Sequence, residues 1–120
     1  MNETILYTQH LYQGHIIDLD LHEVLLSDGN HRKREVVQHP GAAAIVALDS
    51  DGKVLLVRQF RIAAGKVLSE IPAGTLNLDE PPAECAAREL QEETGYKPGK
   101  LDSLGGFYAA PGYTTEFIHL

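Results

Sequence analysis

The chain has 120 residues, of which 43% are hydrophobic and 22% are charged, which is typical of one folded domain and leaves little room for a second core. Its formal net charge of −7 argues against binding to nucleic acid or anionic lipid, and no apolar run approaches the roughly 20 residues that span a bilayer. The N-terminal residues lack the layout of a secretory signal and Cys85 is the single cysteine, so we expect a cytoplasmic protein.

The first half of the chain has the pattern of β-hairpins. In residues 1–38, short alternating apolar stretches surround Asp28-Gly29-Asn30, which predicts a hairpin turn. Residues 42–61, "AAAIVALDSDGKVLLVRQFR", contain two apolar, β-branched runs on either side of Asp51-Gly52. This composition predicts a second hairpin that is more deeply buried than the first.

A helix follows, with recognisable signals at both ends. Pro81-Pro82 are tolerated in a first helical turn, and Gly95 is suited to a left-handed C-terminal cap. Residues 100–120 then have the pattern of a strand, a tight loop and the beginning of another strand. The chain contains no internal repeat and no low-complexity linker.

Three glutamates lie on one face of this predicted helix. Glu89, Glu92 and Glu93 are spaced at i, i+3 and i+4, so their carboxylates fall within one turn and repel one another. A hard divalent cation such as Mg²⁺ or Mn²⁺ would relieve that repulsion, because such ions prefer oxygen ligands. Taken alone, the cluster is more typical of a solvated acidic helix face than of a metal site, because runs of charge usually lie on the surface.

The residues around the cluster resemble the Nudix box, G-x5-E-x7-R-E-U-x-E-E-x-G-U, in which U is apolar. The matching positions are Gly74, Glu80, Arg88, Glu89, Leu90, Glu92, Glu93, Gly95 and Tyr96. The stretches "REVVQHPGAAAIVAL", "VLLVRQFR", "EIPAG" and Pro111-Gly112 are similar to the ADP-ribose pyrophosphatase branch of the Nudix hydrolases. Most of residues 34–118 is covered by this resemblance.

The resemblance implies the fold, the reaction and the assembly. The fold would be α/β, a Nudix-type α/β/α sandwich with a mixed sheet, in which residues 39–120 form a Nudix domain incomplete at its C-terminus. Residues 1–38 would form an N-terminal β appendage that serves in homodimerisation. The reaction would be metal-dependent hydrolysis of ADP-ribose to AMP and ribose 5-phosphate, with Mg²⁺ or Mn²⁺ as cofactor. Relatives carry another catalytic glutamate beyond the position of residue 120, so the general base stays open.

The resemblance also assigns roles to individual residues. The catalytic, metal-binding carboxylates would be Glu89, Glu92 and Glu93, with the backbone carbonyl of Ala73 as a further ligand. The substrate-binding residues would be Arg61 at the diphosphate, Glu70 and Glu116 as acids lining the site, and Arg34 reaching the adenosine bound by the partner subunit. The residues that shape the motif would be Gly74, Glu80, Arg88 and Gly95.

Other interpretations stay open at this stage. The substrate could be another nucleotide sugar or a dinucleotide, or the chain could be a nucleotide-binding Nudix module with little turnover. The six histidines show no paired metal-binding spacing, and Cys85 has no neighbouring histidine or second cysteine. We expect these residues to serve in packing or on the surface.

Overall fold

The computed structural model describes residues 1–120, which form nine strands and one helix. The strands are β1 (Glu3–Gln13), β2 (Asp18–Leu26), β3 (His31–Gln38), β4 (Ala42–Ala44), β5 (Val57–Arg61), β6 (Lys66–Glu70), β7 (Ala73–Thr75), β8 (Gly106–Tyr108) and β9 (Phe117–His119), and the helix is α1 (Pro82–Thr94). The chain divides into two compact units. The first consists of Met1–Pro40 with Tyr108–Phe117, and the second of Gly41–Phe107 with Ile118–Leu120.

The first unit is built on an antiparallel sheet in the order β1-β2-β3. Gly29 adopts a φ of 83° in the turn between β2 and β3, where Leu26 N–H donates to Asn30 O over 2.8 Å. This turn confirms the predicted first hairpin. Along β2, Asp20, His22 and Val24 are buried, whereas β1 is exposed along almost its whole length.

The segment Tyr108–Phe117 belongs to the first unit because it is bonded to the end of β3. Val37 N–H donates to Tyr113 O over 2.7 Å, and Thr115 N–H donates back to Val37 O over 3.0 Å. His39 N–H also donates to the Thr115 hydroxyl over 2.9 Å. These bonds fix the loop that precedes β9, and with it the backbone of Glu116.

The second unit contains a mixed sheet covered by the helix. The strand order is β7-β4-β9-β8, with β4 antiparallel to β7 and parallel to β9, so the predicted mixed α/β class is confirmed. Helix α1 packs against β4 and β7. The three alanines of Ala42–Ala44 are all buried, and their small side chains allow the helix to approach the strand closely.

The predicted helix is confirmed at both ends. Pro82 is its first residue, and Gly95 caps it with a φ of 78° while its N–H donates to Gln91 O over 2.9 Å. Cys85 and Leu90 are its buried residues. With 13 residues and a polar face, α1 is too short and too polar to cross a membrane.

The second hairpin forms only in part, and its predicted deep burial holds for residues 42–45 but is wrong for residues 46–61. Leu48 and Val54 form one antiparallel bridge around Gly52, but β4 takes its ladder partners from β7 and β9. Leu48 is 65% exposed and Leu56 is 56% exposed. The physical reason is that strands distant in sequence pair with β4, which leaves much of the hairpin's apolar surface uncovered. Leu48 borders an open apolar cavity of ≈ 860 Å³.

Candidate active site

Gly74 allows the acidic helix to lie directly against β7. A β-carbon at this position would collide with the Cγ, Cδ and Oε1 atoms of Glu89. Gly74 also pairs with Ala43 in the sheet, and its carbonyl oxygen accepts a weak bond from the Cys85 thiol at 3.6 Å. The close approach of backbone and carboxylate therefore requires a residue without a side chain.

Arg88 connects the loop before the helix to the acidic face. Its Nε and Nη2 atoms donate to the two carboxylate oxygens of Glu80 over 2.8 and 3.1 Å. Its Nη1 atom donates to Glu89 over 2.7 Å and to Glu92 over 3.4 Å. The hydrogen bond to Glu80 is the main reason why the pKa of Arg88 is raised, and Arg88 together with the Asn77 N–H lowers the pKa of Glu80. The planar guanidinium thus fixes the two ends of the motif relative to each other.

Glu93 has an unusual electrostatic environment. Although the residue is exposed as a whole, burial by the atoms around its carboxyl group raises its pKa, while a hydrogen bond from the Ala73 backbone lowers it. The negative charges of Glu89 and Glu70 raise the pKa further, and the positive charge of Arg61 opposes them. Ala73, Glu89, Glu70 and Arg61 of the second unit therefore all influence the ionisation of Glu93.

Arg61 and Glu70 form a bidentate ion pair on the β5–β6 hairpin. The Arg61 Nη2 atom lies 2.7 Å from Glu70 Oε2, and its Nε atom lies 2.9 Å from Oε1. Because of this bonding, the pKa of Arg61 is raised and the pKa of Glu70 is lowered. Glu70 therefore stays ionised, and Arg61 keeps its permanent charge.

The chemistry of these groups fits a divalent cation. Glu89, Glu92 and Glu93 supply carboxylate oxygens, which hard cations prefer, and a cation would relieve the repulsion between Glu89 and Glu93. In residues 1–120, however, no three acidic, histidine or cysteine side chains converge into a ready ligand group. In this structure Glu89 and Glu92 are both bonded to Arg88. The three-carboxylate site thus stays a prediction.

The two remaining candidate residues belong to the first unit. Arg34 forms a bidentate ion pair with Glu3, with distances of 2.7 and 3.1 Å. Glu116 has an oxygen 3.9 Å from His39 Nε2, and its N–H donates to the Thr114 hydroxyl over 3.2 Å. Their roles in substrate binding stay predictions.

The sequence analysis overlooked Asn77. Its N–H donates to Glu80 over 2.9 Å, and the Glu80 N–H donates back to Asn77 O over 3.1 Å. The Asn-x-x-Glu spacing is the sequence signal for this reciprocal arrangement, which resembles a capping box. Glu80 is therefore held by its own loop as well as by Arg88.

Comparisons with known proteins identify relatives of the chain. The ADP-ribose pyrophosphatase of Bacillus subtilis (strain 168) is 41% identical over 120 residues, which cover 100% of this chain and 65% of the relative. The methanol dehydrogenase activator of Bacillus methanolicus is 40% identical over 118 residues, which cover 98% of this chain and 64% of that protein. The chain thus spans about 65% of the length of these relatives.

Structure and family models identify the same fold. The crystal structure of an ADP compounds hydrolase matches with a TM-score of 0.86 over 99% of this chain and 65% of that chain. At 22% sequence identity, this match establishes the fold alone. The model of the NUDIX domain matches residues 37–120, a range that contains the helix, the loop before it and the Arg61–Glu70 pair. The chain belongs to the NUDIX domain family.

Proposed function

We propose that the protein hydrolyses the pyrophosphate bond of ADP-ribose to AMP and ribose 5-phosphate with the help of Mg²⁺, or of Mn²⁺ in its place. The proposal is supported by the relative from Bacillus subtilis, which is named ADP-ribose pyrophosphatase and is similar along the whole of this chain. The resemblance of residues 74–96 to the Nudix box supports the same reaction class.

The observation that carries the proposal is the arrangement around Glu93. Arg61 and Glu70 are in direct contact, and both act electrostatically on Glu93 together with Glu89, so positive and negative groups lie within electrostatic range of one another. A pyrophosphate diester needs both kinds of group. Carboxylates hold the cations that neutralise its oxygens, and a guanidinium binds its phosphates with planar, paired donors.

The residues have separate tasks in this mechanism. The divalent ion, when bound, supplies charge neutralisation and lowers the pKa of a water molecule. Arg61 would bind and orient the diphosphate, and the divalent ion would be held by Glu89, Glu92 and Glu93 with the backbone carbonyl of Ala73. Arg88 keeps the helix and its preceding loop in a fixed relation through Glu80. Such fixed positioning matters because phosphoryl chemistry depends mainly on orientation and electrostatic stabilisation.

A substrate panel tests the proposal. ADP-ribose, other nucleotide sugars and dinucleotides are each incubated with Mg²⁺ or Mn²⁺, and the products are identified. We expect AMP and ribose 5-phosphate from ADP-ribose, and no turnover after Glu93→Gln. The exposed Arg58 lies on the same hairpin as Arg61, and Arg58→Gln is the control that should retain activity. If another nucleotide is cleaved faster than ADP-ribose, that nucleotide would be the substrate. Binding of nucleotide without cleavage would favour a nucleotide-binding module.

A second candidate function has one specific observation in its favour. The relative from Bacillus methanolicus, named methanol dehydrogenase activator, is as similar to this chain as the pyrophosphatase, at 40% identity. Activation of a dehydrogenase would appear as faster alcohol oxidation when the protein is added to that enzyme. Stimulation that persists in Glu93→Gln would establish a role separate from hydrolysis.

The assembly and location belong to the same proposal. We propose a cytoplasmic homodimer in which β1 contributes to the interface, since its Ile5, Tyr7 and Tyr12 are exposed apolar side chains on an edge strand. Arg34 would then contact the adenosine bound by the partner subunit, and Glu116 would line the site near the terminal ribose.

A further inference from the structure

The ion pair between Arg61 and Glu70 uses only one edge of the guanidinium. Glu70 accepts hydrogen bonds from Nε and Nη2, the two donors on the same side of the group. A guanidinium has a second edge, formed by Nη1 and the other hydrogen of Nη2. That edge can bind a phosphate with two parallel hydrogen bonds while Glu70 stays in place.

The pair runs along the hairpin rather than across it. In the β5–β6 register, Arg61 lies opposite Lys66, and Glu70 lies opposite Val57 at the other end of the ladder. The Arg61 side chain must therefore extend over the hairpin surface to reach Glu70. A long, flexible side chain that is bonded in this way loses most of its freedom before any ligand arrives.

The held guanidinium is accessible and close to the acidic helix. The Arg61 side chain is 45% exposed, whereas that of Glu70 is 24% exposed, so the arginine is the more open member of the pair. Arg61 and Glu70 both act electrostatically on Glu93. The pair is thus within electrostatic range of Glu93 on the helix.

We propose that Glu70 is a positioning residue that acts through Arg61, holding one guanidinium edge so that the other faces the substrate diphosphate, and that Glu70 does not itself bind the substrate. The inference rests on the proposed function, because it assumes that Arg61 binds the diphosphate. It changes the role that the sequence resemblance implies for Glu70, which was that of an acid lining the substrate site.

The charges favour this role over direct contact. Glu70 is ionised, because Arg61 lowers its pKa, and an ionised carboxylate repels the negative oxygens of a diphosphate. When Glu70 is paired with Arg61, the positive charge of the arginine offsets the negative charge of the glutamate. The hydrogen-bond donors of Arg61 that Glu70 does not use are then kept in one orientation. Pre-orientation lowers the entropic cost of binding, so its loss raises KM more than it lowers kcat.

A double-mutant cycle separates the two roles. The wild type, Glu70→Gln, Arg61→Gln and the double variant are compared by KM and kcat for ADP-ribose, and by calorimetric binding of ADP-ribose without added divalent ion. Arg61→Gln should raise KM roughly tenfold or more, as expected for loss of a hydrogen-bonded charge. Glu70→Gln should raise KM about three- to tenfold, because the guanidinium loses its fixed orientation while its charge remains.

The decisive result is the effect of Glu70→Gln when Arg61 is already absent. If Glu70 acts only through Arg61, that effect should fall below about twofold, since the two changes remove one interaction. Effects that multiply fully in the double variant would overturn the proposal and assign Glu70 a substrate contact of its own. A KM unchanged by Glu70→Gln alone would also overturn it.

Two controls keep these outcomes distinct from other failures. Melting temperatures should be nearly equal in all four proteins, because an exposed ion pair contributes little stability. Arg58→Gln, on the same hairpin, should leave KM and kcat unchanged. If the wild type neither cleaves nor binds ADP-ribose, the proposed function itself fails. This result is distinct from a cycle in which the effects of Glu70→Gln and Arg61→Gln multiply, which overturns only the role of Glu70.

Discussion

Replacement of Gly74 by alanine tests the packing of the acidic helix on β7. The new methyl group would collide with the Glu89 side chain, which is 15% exposed and has little room to move. Gly74 does not have a positive φ, so alanine is compatible with its backbone and the effect is steric. The least costly response is for Glu89 to swing away from the loop and from Arg88.

The expected loss of stability follows from the contact that breaks. Glu89 would lose its 2.7 Å hydrogen bond from Arg88, and a bond between charged groups contributes about 1.5–3 kcal/mol. Replacing glycine by alanine recovers about 0.4–1 kcal/mol through the unfolded chain. The net loss in the free energy of unfolding is therefore about 1–2 kcal/mol, which for a domain of this size lowers the melting temperature by roughly 3–10 °C.

The assays are thermal unfolding without metal and calorimetric titration with Mn²⁺ or Mg²⁺. Displacing Glu89 should also weaken metal binding by about tenfold or more, as perturbed metal sites generally do. Gly99→Ala is the matched control, since a β-carbon there meets nothing within 4 Å and its φ is not positive. If Gly74→Ala unfolds at the same temperature and binds metal as tightly as Gly99→Ala, the inferred contact between Gly74 and Glu89 is refuted.

Four further predictions concern the acidic helix and the assembly. Glu93→Gln should reduce Mg²⁺ or Mn²⁺ affinity about tenfold or more, measured by calorimetry, and unchanged affinity would remove Glu93 from the metal site. Burial raises the pKa of Glu93, so protonated Glu93 should stabilise the metal-free protein below pH 4.5, and this stabilisation should be lost as the pH rises through the folded pKa. Urea unfolding of chelator-treated protein at a series of pH values measures the loss, and Glu93→Gln should not show it. Arg88→Lys keeps the charge but cannot hold Glu80 and Glu89 at once, so metal affinity should fall, and wild-type affinity would contradict a role for the guanidinium fork. Light scattering at micromolar concentration should give the mass of a dimer, and a monomer would count against the proposed partner contact of Arg34.

The helix and its acidic face could be predicted from the sequence because the signals are local. Pro82 at the first turn, Gly95 at the cap and the i, i+3, i+4 spacing of the glutamates all act within a few residues of one another. The first hairpin was predictable for the same reason, since Gly29 sets its turn. Family membership also follows from spacing, because the motif of residues 74–96 is continuous in the chain.

Tertiary structure decided what these groups contact. No local rule pairs Arg61 with Glu70 along the hairpin. No local rule predicts that the Glu89 side chain lies so close to Gly74 that a β-carbon there would collide with it. The sequence by itself determined which residues carry charge and which face of the helix presents them. Only the folded chain decided that the Glu89 side chain lies against Gly74, and that the apolar side chain of Leu48 is left exposed, because strand pairing and helix packing join residues that are far apart in sequence.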